Sequence, residues 1–399
     1  MTKIQKINLI GAILLFGFAI SAYIHFVICG AYLQMGYPYN TFLFIPNDKF
    51  NDFFNVLKLV ENREVYLHDS AHSTNPMLTA NYFPFSYIFM YGISLLGKIW
   101  KSLPFAIYLA SFILMMLYLS YKLLWKDEKY DLHTITLSIG IGFFTYPFLH
   151  CIDRGNIESF VFIFMCFFFF SFLKEKYKTA AIFISLATAM KLYPCILAIL
   201  LIKNKQYKAC FLAAIITLLI SVVSLIVLQG SVLDNFNGMI REMGHFTNLY
   251  IFQFHNGITF FTLGHLIGSF FSLTLDVSTG YIIFNIFAVL VMVLVLFYIL
   301  QYENEFWKQV FLLVSAYILL MGVSYIYKLV PLVAAMFFFI NSSRVSIYDN
   351  RYCFLFAVLF IPKQLYEFGK IADIFHILVI SYISFLIIKE RLEERIYKQ

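Results

Sequence analysis

The feature that most constrains this chain is a succession of long apolar segments separated by short polar stretches. The segment 211–228 is apolar on nearly every face of a helix, broken only by Thr217, Ser221 and Ser224. Hydrophobic residues make up 61% of the 399 residues and charged residues only 13%, whereas a soluble protein has about 25% charged residues. We therefore predict an all-α, polytopic membrane protein with about ten to thirteen membrane segments, counting short or re-entrant ones.

This composition excludes a soluble enzyme, a disordered chain and a disulfide scaffold. The net charge of +7 does not indicate nucleic-acid binding, because the basic residues lie in short runs between apolar segments, where they mark the cytoplasmic side. The first apolar segment, about 7–30, follows Lys3 and Lys6 and is too long for a cleaved signal peptide. We expect cytoplasmic termini, an extracytoplasmic loop at 31–81, and a location in the plasma (inner) membrane.

Three regions need a separate interpretation. The segment 82–124 is too long for one span, so its first half is expected to be a short or re-entrant helix. The segment 179–202 has the length of one span but basic residues at both flanks. Either it is a short hairpin with Lys191 near its tip, which we favour, or one flank breaks the positive-inside rule. The charged tail 389–398 is expected to be a solvated helix end.

Inside the outer loop, the stretch 52–66 has the periodicity of a short amphipathic helix. Its apolar residues recur at helical spacing on one side: Phe53, Val56, Leu57 and Val60. Such a helix would lie along the outer membrane interface.

Charged residues at the edges of apolar segments are functional candidates, because placing a charge in a membrane is costly. The stretch 153–158 reads Asp-Arg-Gly-Asn-Ile-Glu and puts four polar side chains in one very short connection. Gly155 indicates a tight backbone approach. The alternative is a simple polar turn in which Asn156 caps the next helix.

Further candidates lie in loops or helix breaks on the same predicted side. Lys191 precedes a proline that breaks the helix, which suits an anion site, although a lysine reaching for the interface is the alternative. Asp52 lies four residues after Asp48 and would share a helix face with it, so a carboxylate pair or metal site is one interpretation and a solvated loop aspartate the other. Two weaker candidates are His255 and Lys328.

The order of motifs resembles a known superfamily. After the acidic loop come Asn-Tyr-Phe-Pro at 81–84, Asp-Arg-Gly-Asn-Ile-Glu at 153–158 and Ala-Met-Lys-Leu-Tyr-Pro at 189–194. This order resembles the GT-C superfamily of polyprenol-linked glycosyltransferases, and within it the mannosyltransferase-like family 87. The resemblance implies a GT-C-like catalytic module over 1–229 and a variable C-terminal transmembrane module over 230–399.

The resemblance also implies a mechanism. The donor would be a sugar (a hexose, with mannose suggested by the family) on a polyprenyl phosphate, and the acceptor a lipid-linked glycan or glycolipid held among membrane lipids. Asp52 best matches the family's catalytic aspartate and would be the general base of an inverting displacement. Arg154 and Lys191 match its basic positions and would stabilise the leaving phosphate. The other expected substrate-binding residues are Tyr82, Asn156, Glu158, Tyr193, Asp48, His255 and Lys328.

The sequence departs from the family's usual motifs in two places. The family's usual Tyr-Pro-Pro is Tyr82-Phe83-Pro84 here, and the two aspartates are too far apart for a close Asp-x-Asp pair. We assign no metal or other cofactor, and a divalent metal stays open.

Two other functions are alternatives to a transferase. A flippase or other secondary transporter would place charges near the membrane midplane. An O-antigen-type polymerase would carry several arginines in a large late loop, where 230–256 has only Arg241. The sugar, acceptor and linkage stay open.

Overall fold

The structure is a computed structural model that describes residues 1–37, 39–44, 48–67, 79–124, 131–254, 257–272, 276–363 and 369–396. Within these residues it has seventeen α-helices and no β-strand, which confirms the all-α membrane fold. The α-helices, numbered in chain order, are α1 Lys3–Ala22, α2 Asn51–Val60, α3 Pro84–Leu95, α4 Leu103–Leu124, α5 Leu132–Phe143, α6 Tyr146–Arg154, α7 Glu158–Leu173, α8 Tyr177–Met190, α9 Ile199–Lys203, α10 Tyr207–Val227, α11 Val232–Phe246, α12 Phe260–Phe270, α13 Val277–Gln301, α14 Phe306–Leu319, α15 Val330–Asn341, α16 Asp349–Phe360 and α17 Gly369–Ile396.

Several of these helices are suited to a membrane. Among the described residues, five helical segments are long and apolar enough to cross one, and the pair α5 and α6, bent by 48°, makes a sixth if it counts as one span. The five are Lys3–Tyr32, Leu103–Leu124, Tyr207–Val227, Val277–Gln301 and Ile371–Arg395. Shorter apolar helices, such as α7, α8 and α14, accompany them, in line with the predicted short segments.

The segments 82–124 and 179–202 both contain helix breaks. The segment 82–124 divides into the short helix α3 and the longer α4, as predicted. In 179–202, helix α8 ends at Met190, because Lys191 is extended with φ −144° and ψ 133°. A 3₁₀ helix, Tyr193–Ala198, starts next with Pro194 near its beginning, followed by α9.

The chain forms two compact units. The first comprises Met1–Lys49, Ile113–Asp153 and Asn256–Gln399, and the second Phe50–Phe112 and Arg154–His255. In the first unit, α1 packs against α5 and α16, and α14 packs against α15 and α17. In the second, α8 packs between α7 and α10, and α2 packs against α3. The module boundary at 229/230 stays a prediction.

The first unit contains a buried charge network that corrects one expectation. The tail from residue 389 is not simply solvated, because Glu390 of α17 is buried. Its Oε2 accepts from the Lys308 ammonium at 2.9 Å and from the Tyr352 hydroxyl at 2.8 Å. Lys308 also binds Glu305 Oε1 at 3.0 Å, and Arg344 reaches the same oxygen at 2.9 Å. A segment rich in charges of both signs is typical of a solvent-exposed helix end. Here the packing of α14 on α17 buries part of that segment.

Replacing Lys308 with methionine is expected to lower the thermal unfolding midpoint of the protein in detergent. The substitution leaves buried carboxyl groups without their cation, and breaking a buried ion pair costs about 3–5 kcal/mol. Lys389→Met is the matched control, because Lys389 lies 3.7 Å from Glu393 with 42% of its side chain exposed, and exposed pairs contribute about 0–1 kcal/mol. Equal shifts for the two variants would contradict a structural role for the buried network.

Candidate active site

The candidate site lies in the second unit, and its side chains come from helix ends. Asp52 is in the first turn of α2, which buries Phe53, Val56 and Val60. The predicted amphipathic helix is confirmed, but it ends at Val60 and not at residue 66, and its position along the membrane interface stays a prediction. Tyr82 lies just before α3, which begins at Pro84, and Lys191 is the break after α8.

A single turn supplies three more of the side chains. Arg154 is the last residue of α6, Gly155 turns the chain, Asn156 follows, and Glu158 begins α7. Helix ends leave backbone groups without helical partners, so polar side chains collect there. The short connection with polar side chains predicted at 153–158 thus forms one side of the site.

Asp52 lies at the centre of the exposed part of the site. Its Oδ1 accepts from Arg154 Nη2 at 2.7 Å, and its Oδ2 accepts from Asn156 Nδ2 at 2.6 Å. The side chains of Asp52 and Arg154 are 18% and 21% exposed, so a substrate can reach both.

Asn156 connects Asp52 to the deeper part of the site. Its Nδ2 donates to Asp52 and, at 3.4 Å, to the Tyr82 hydroxyl. Its Oδ1 accepts from Lys191 Nζ at 3.3 Å and from the Glu158 backbone N–H at 3.0 Å. An amide has two donor and two acceptor positions, and all four are used. The contact with the Glu158 N–H satisfies the first amide of α7 from two residues before it, but the N-cap of α7 is Ile157, so the predicted N-cap at Asn156 is wrong.

Lys191 and Glu158 form the inner ion pair. Lys191 Nζ lies 2.9 Å from Glu158 Oε2, and the Glu158 side chain has no exposed surface. The Tyr193 hydroxyl donates to the other oxygen of Glu158. Lys191 is therefore not a lysine reaching for the interface. The site pairs two carboxyl groups with two cations, and Asn156 bridges the pairs.

Tyr82 covers the inner pair. Lys191 Nζ lies 5.0 Å from the centre of the Tyr82 ring, within the range of a cation–π interaction. Burial, and after it the charge of Asp52, raise the pKa of Tyr82 well above its ordinary value. Tyr82 is therefore a protonated phenol at neutral pH. It adds no charge to the site and keeps a hydrogen-bond donor.

Gly155 makes the turn possible. Its φ is +66°, and a Cβ at this position would lie 2.8 Å from Phe53 Cβ and 3.1 Å from the Phe50 carbonyl oxygen. Only glycine combines that backbone conformation with so close an approach. The tight approach predicted from the sequence is confirmed, and it brings Arg154 and Asn156 against α2.

Gly155→Ala is expected to lower both the unfolding midpoint and the activity. A left-handed alanine costs about 1–2 kcal/mol, and the added methyl group overpacks the α2 contact at about 1–3 kcal/mol. Gly92→Ala, within α3 of the same unit, is the control, because nothing lies within 4 Å of its Cβ, and it should stabilise the protein by about 0.4–1 kcal/mol. Unfolding in detergent and catalytic activity would both be measured. An active, equally stable Gly155→Ala protein would contradict the role given to this turn.

Seven of the ten predicted site residues are thus brought together in the second unit, and the roles expected for the other three stay predictions. The structure puts Asp48 in a turn of the first unit, before α2 begins at Asn51, because Phe50 is left-handed with φ 56°. The expected shared helix face of Asp48 and Asp52 is therefore wrong. Lys328 belongs to the first unit and donates to the Val323 carbonyl at 3.0 Å, and its substrate role stays a prediction. His255 lies outside the described residues.

Some neighbours of the site could not be found from the sequence. The Tyr108 hydroxyl donates to the Asn156 carbonyl at 3.3 Å, yet Tyr108 lies inside the apolar α4 with no distinguishing pattern. Burial and then the charge of Asp52 raise the pKa of Tyr250, whereas the charge of Arg154 lowers it. Tyr250 therefore lies near the ion pair of Asp52 and Arg154. Its signal is weak, because it lies in one of many aromatic segments. Glu242, which binds the backbone N–H of Ala80, is the third such residue.

Ion pairs gathered at the helix ends of a membrane protein indicate a functional site, which is typical of membrane-embedded enzymes and transporters that handle polar or charged ligands. The comparison with known families narrows this class. The model of glycosyltransferase family 87 matches residues 80–324, well over half of the 399 residues. The chain therefore belongs to glycosyltransferase family 87 and is a membrane-embedded glycosyltransferase. No curated protein and no solved structure matches it significantly.

The family match covers some of the site residues and leaves out another. It includes Arg154 and Lys191 with their neighbours and extends past residue 229 into the C-terminal part. Asp52 precedes the matched region, so its assignment depends on the contacts it makes with Arg154 and Asn156.

Proposed function

We propose that this protein transfers a hexose, with mannose the first candidate, from a polyprenyl-phosphate donor to a lipid-linked glycan or glycolipid. The reaction would take place on the extracytoplasmic side of the plasma membrane. The observation that carries the proposal is that two ion pairs are connected by one side chain. Asn156 links the pair Asp52 and Arg154 to the pair Lys191 and Glu158. A polar acceptor, a sugar and a phosphate all meet suitable groups there.

The proposed reaction is a single displacement that inverts the anomeric centre. The acceptor oxygen attacks the anomeric carbon while Asp52 takes the hydroxyl proton. The bond between the anomeric carbon and the phosphate oxygen breaks, and its electron pair leaves with the polyprenyl phosphate. Arg154 and Lys191 stabilise the negative charge that develops on that phosphate. Arg154 offers a planar, forked donor and Lys191 a point charge.

The contacts suggest what the remaining residues contribute. Because Asn156 uses all four of its hydrogen-bonding positions inside the protein, its proposed role is to orient Asp52 and Lys191. Glu158 has no exposed surface, and its proposed role is to hold Lys191 together with Tyr193. Tyr82 contacts both Asn156 and Lys191 and is proposed to line the sugar subsite. An outward-facing site follows from the predicted topology, in which the loop 31–81 is extracytoplasmic.

The test is release of polyprenyl phosphate by purified protein in detergent. Short-chain polyprenyl-phosphate sugars would be incubated with a lipid extract that supplies the acceptor. A parallel reaction in EDTA tests whether a divalent metal is needed. Transfer of radiolabelled sugar to a lipid product, with inverted anomeric configuration, would support the proposal.

Three outcomes would change the proposed function or mechanism. Transfer from a nucleotide sugar but not from a polyprenyl-phosphate sugar would replace the donor class. Donor binding without transfer, together with movement of the labelled lipid across liposome membranes, would favour the transporter interpretation. A product with retained configuration would rule out the single displacement.

A further inference from the structure

Helix α11, Val232–Phe246, has an unusual distribution of polar residues. It buries Asn235 and Glu242 while it exposes the apolar residues Leu233, Phe236 and Ile240, which recur at helical spacing. An exposed apolar stripe is expected where a helix faces lipid. A completely buried carboxyl group on the opposite side is costly, so its partners indicate why it is there.

Glu242 is held against the segment that precedes α3. Its Oε2 accepts from the Ala80 backbone N–H at 3.3 Å, and Arg241 Nε lies 3.8 Å from its Oε1. Arg241 Nη2 donates to the Tyr66 carbonyl at 3.0 Å. The contact is close, because a Cβ at Gly238 would lie only 2.1 Å from that carbonyl oxygen. One face of α11 thus binds the backbone at both Tyr66 and Ala80.

The same tyrosine reaches the backbone of Tyr82. The Tyr66 hydroxyl donates to the Tyr82 carbonyl at 2.5 Å, and the Tyr82 N–H donates to the Tyr87 hydroxyl at 3.2 Å. Burial, then Tyr87, then Glu242 raise the pKa of Tyr66 well above its ordinary value, so Tyr66 keeps the proton it donates. Both backbone groups of Tyr82 are therefore bound by tyrosine hydroxyls, and the charge of Glu242 lies close enough to raise the pKa of both tyrosines.

The side chain of Tyr82 in turn contacts Asn156 and Lys191. We infer that Glu242 is a positioning residue of the sugar-transfer site, which acts by fixing the segment 79–83 and thereby the place of Tyr82 over Lys191. This inference rests on the proposed function for its effect on catalysis. Its structural part, the fixing of 79–83 by Glu242, does not depend on the reaction.

The first experiment needs no substrate. Amide hydrogen exchange of peptides that cover 79–87 would be measured for the full-length protein and for Glu242→Ala and Glu242→Gln. Exchange should be at least about tenfold faster in Glu242→Ala, because the Ala80 N–H loses its acceptor. Glu242→Gln keeps an acceptor oxygen and should recover most of the protection. Asp234→Ala, which removes an exposed carboxyl group from the first turn of α11, should leave exchange at 79–87 unchanged.

The second experiment is a double-mutant cycle on sugar transfer. Glu242→Ala should lower kcat about tenfold in the wild-type background and less than about twofold in a Tyr82→Ala background, because the two residues act through one contact chain. Equal fold-losses in both backgrounds, or unchanged exchange at 79–87, would overturn the inference. A wild-type protein that transfers no sugar would count against the proposed function, and the exchange result would still decide whether Glu242 fixes the segment.

Discussion

Asp52→Asn is expected to lower kcat for sugar transfer by about 10²- to 10⁴-fold, the usual contribution of a general base. Asparagine keeps the shape of the side chain but cannot accept the proton of the attacking hydroxyl. It also has one acceptor oxygen in place of two, whereas Asp52 accepts from Arg154 and Asn156 on separate oxygens. One of these bonds is lost, so part of the effect is positional.

The unfolding midpoint in detergent separates the two effects, since a variant that is inactive but folded has lost chemistry. Glu61→Gln is the matched control, because Glu61 is an exposed carboxyl group immediately after α2 and its loss should leave kcat unchanged. Full activity in Asp52→Asn would mean that another carboxyl group, such as Asp48 or Glu158, is the base.

Lys191→Met is expected to lower kcat by about 10²- to 10³-fold, the scale for removing one group that stabilises developing charge. The ammonium lies at the inner end of the site, fixed by Glu158 at 2.9 Å and by Asn156 at 3.3 Å. A fixed cation costs no reorganisation when the phosphate gains charge. Because Lys191→Met also leaves Glu158 buried without its cation, the unfolding midpoint should fall as well.

A double variant distinguishes the two roles of Lys191. In Lys191→Met/Glu158→Gln no buried charge is left without a partner, so the unfolding midpoint should return toward that of the wild type while kcat stays low. Lys178→Met, an exposed lysine of the same helix α8, is the control for removing a positive charge. Recovery of activity in the double variant would show that Lys191 serves folding and leave Arg154 as the phosphate-stabilising cation.

Much of the site could be predicted from local signals. A glycine between charged residues at a membrane edge indicated the turn at Gly155, and a proline after a lysine indicated the helix break at Lys191. Both signals depend on neighbouring residues only, as backbone preference and insertion cost do. The apolar spacing of α2 was visible for the same reason.

Other features depended on the contacts between distant segments. Asp48 and Asp52 look equivalent in the sequence, and only the left-handed Phe50 places one before α2 and the other within it. Glu390 and Glu242 look like ordinary charges of a tail and a loop. Their burial follows from which helix packs against them, and no local pattern carries that information. Glu242 also shows that a segment past the predicted module boundary contacts residues that hold the site.

The sequence by itself determined that this is an all-α membrane protein of glycosyltransferase family 87 and which short stretches carry its charged residues. Apolar run lengths and the cost of charge in lipid are properties of composition and local order. The tertiary structure decided that Asp52 meets Arg154 across 102 residues of chain, and that Asn156 joins this pair to the Lys191 and Glu158 pair. Such convergence depends on the packing of α2, α7 and α8 in one unit, which is a property of the whole chain.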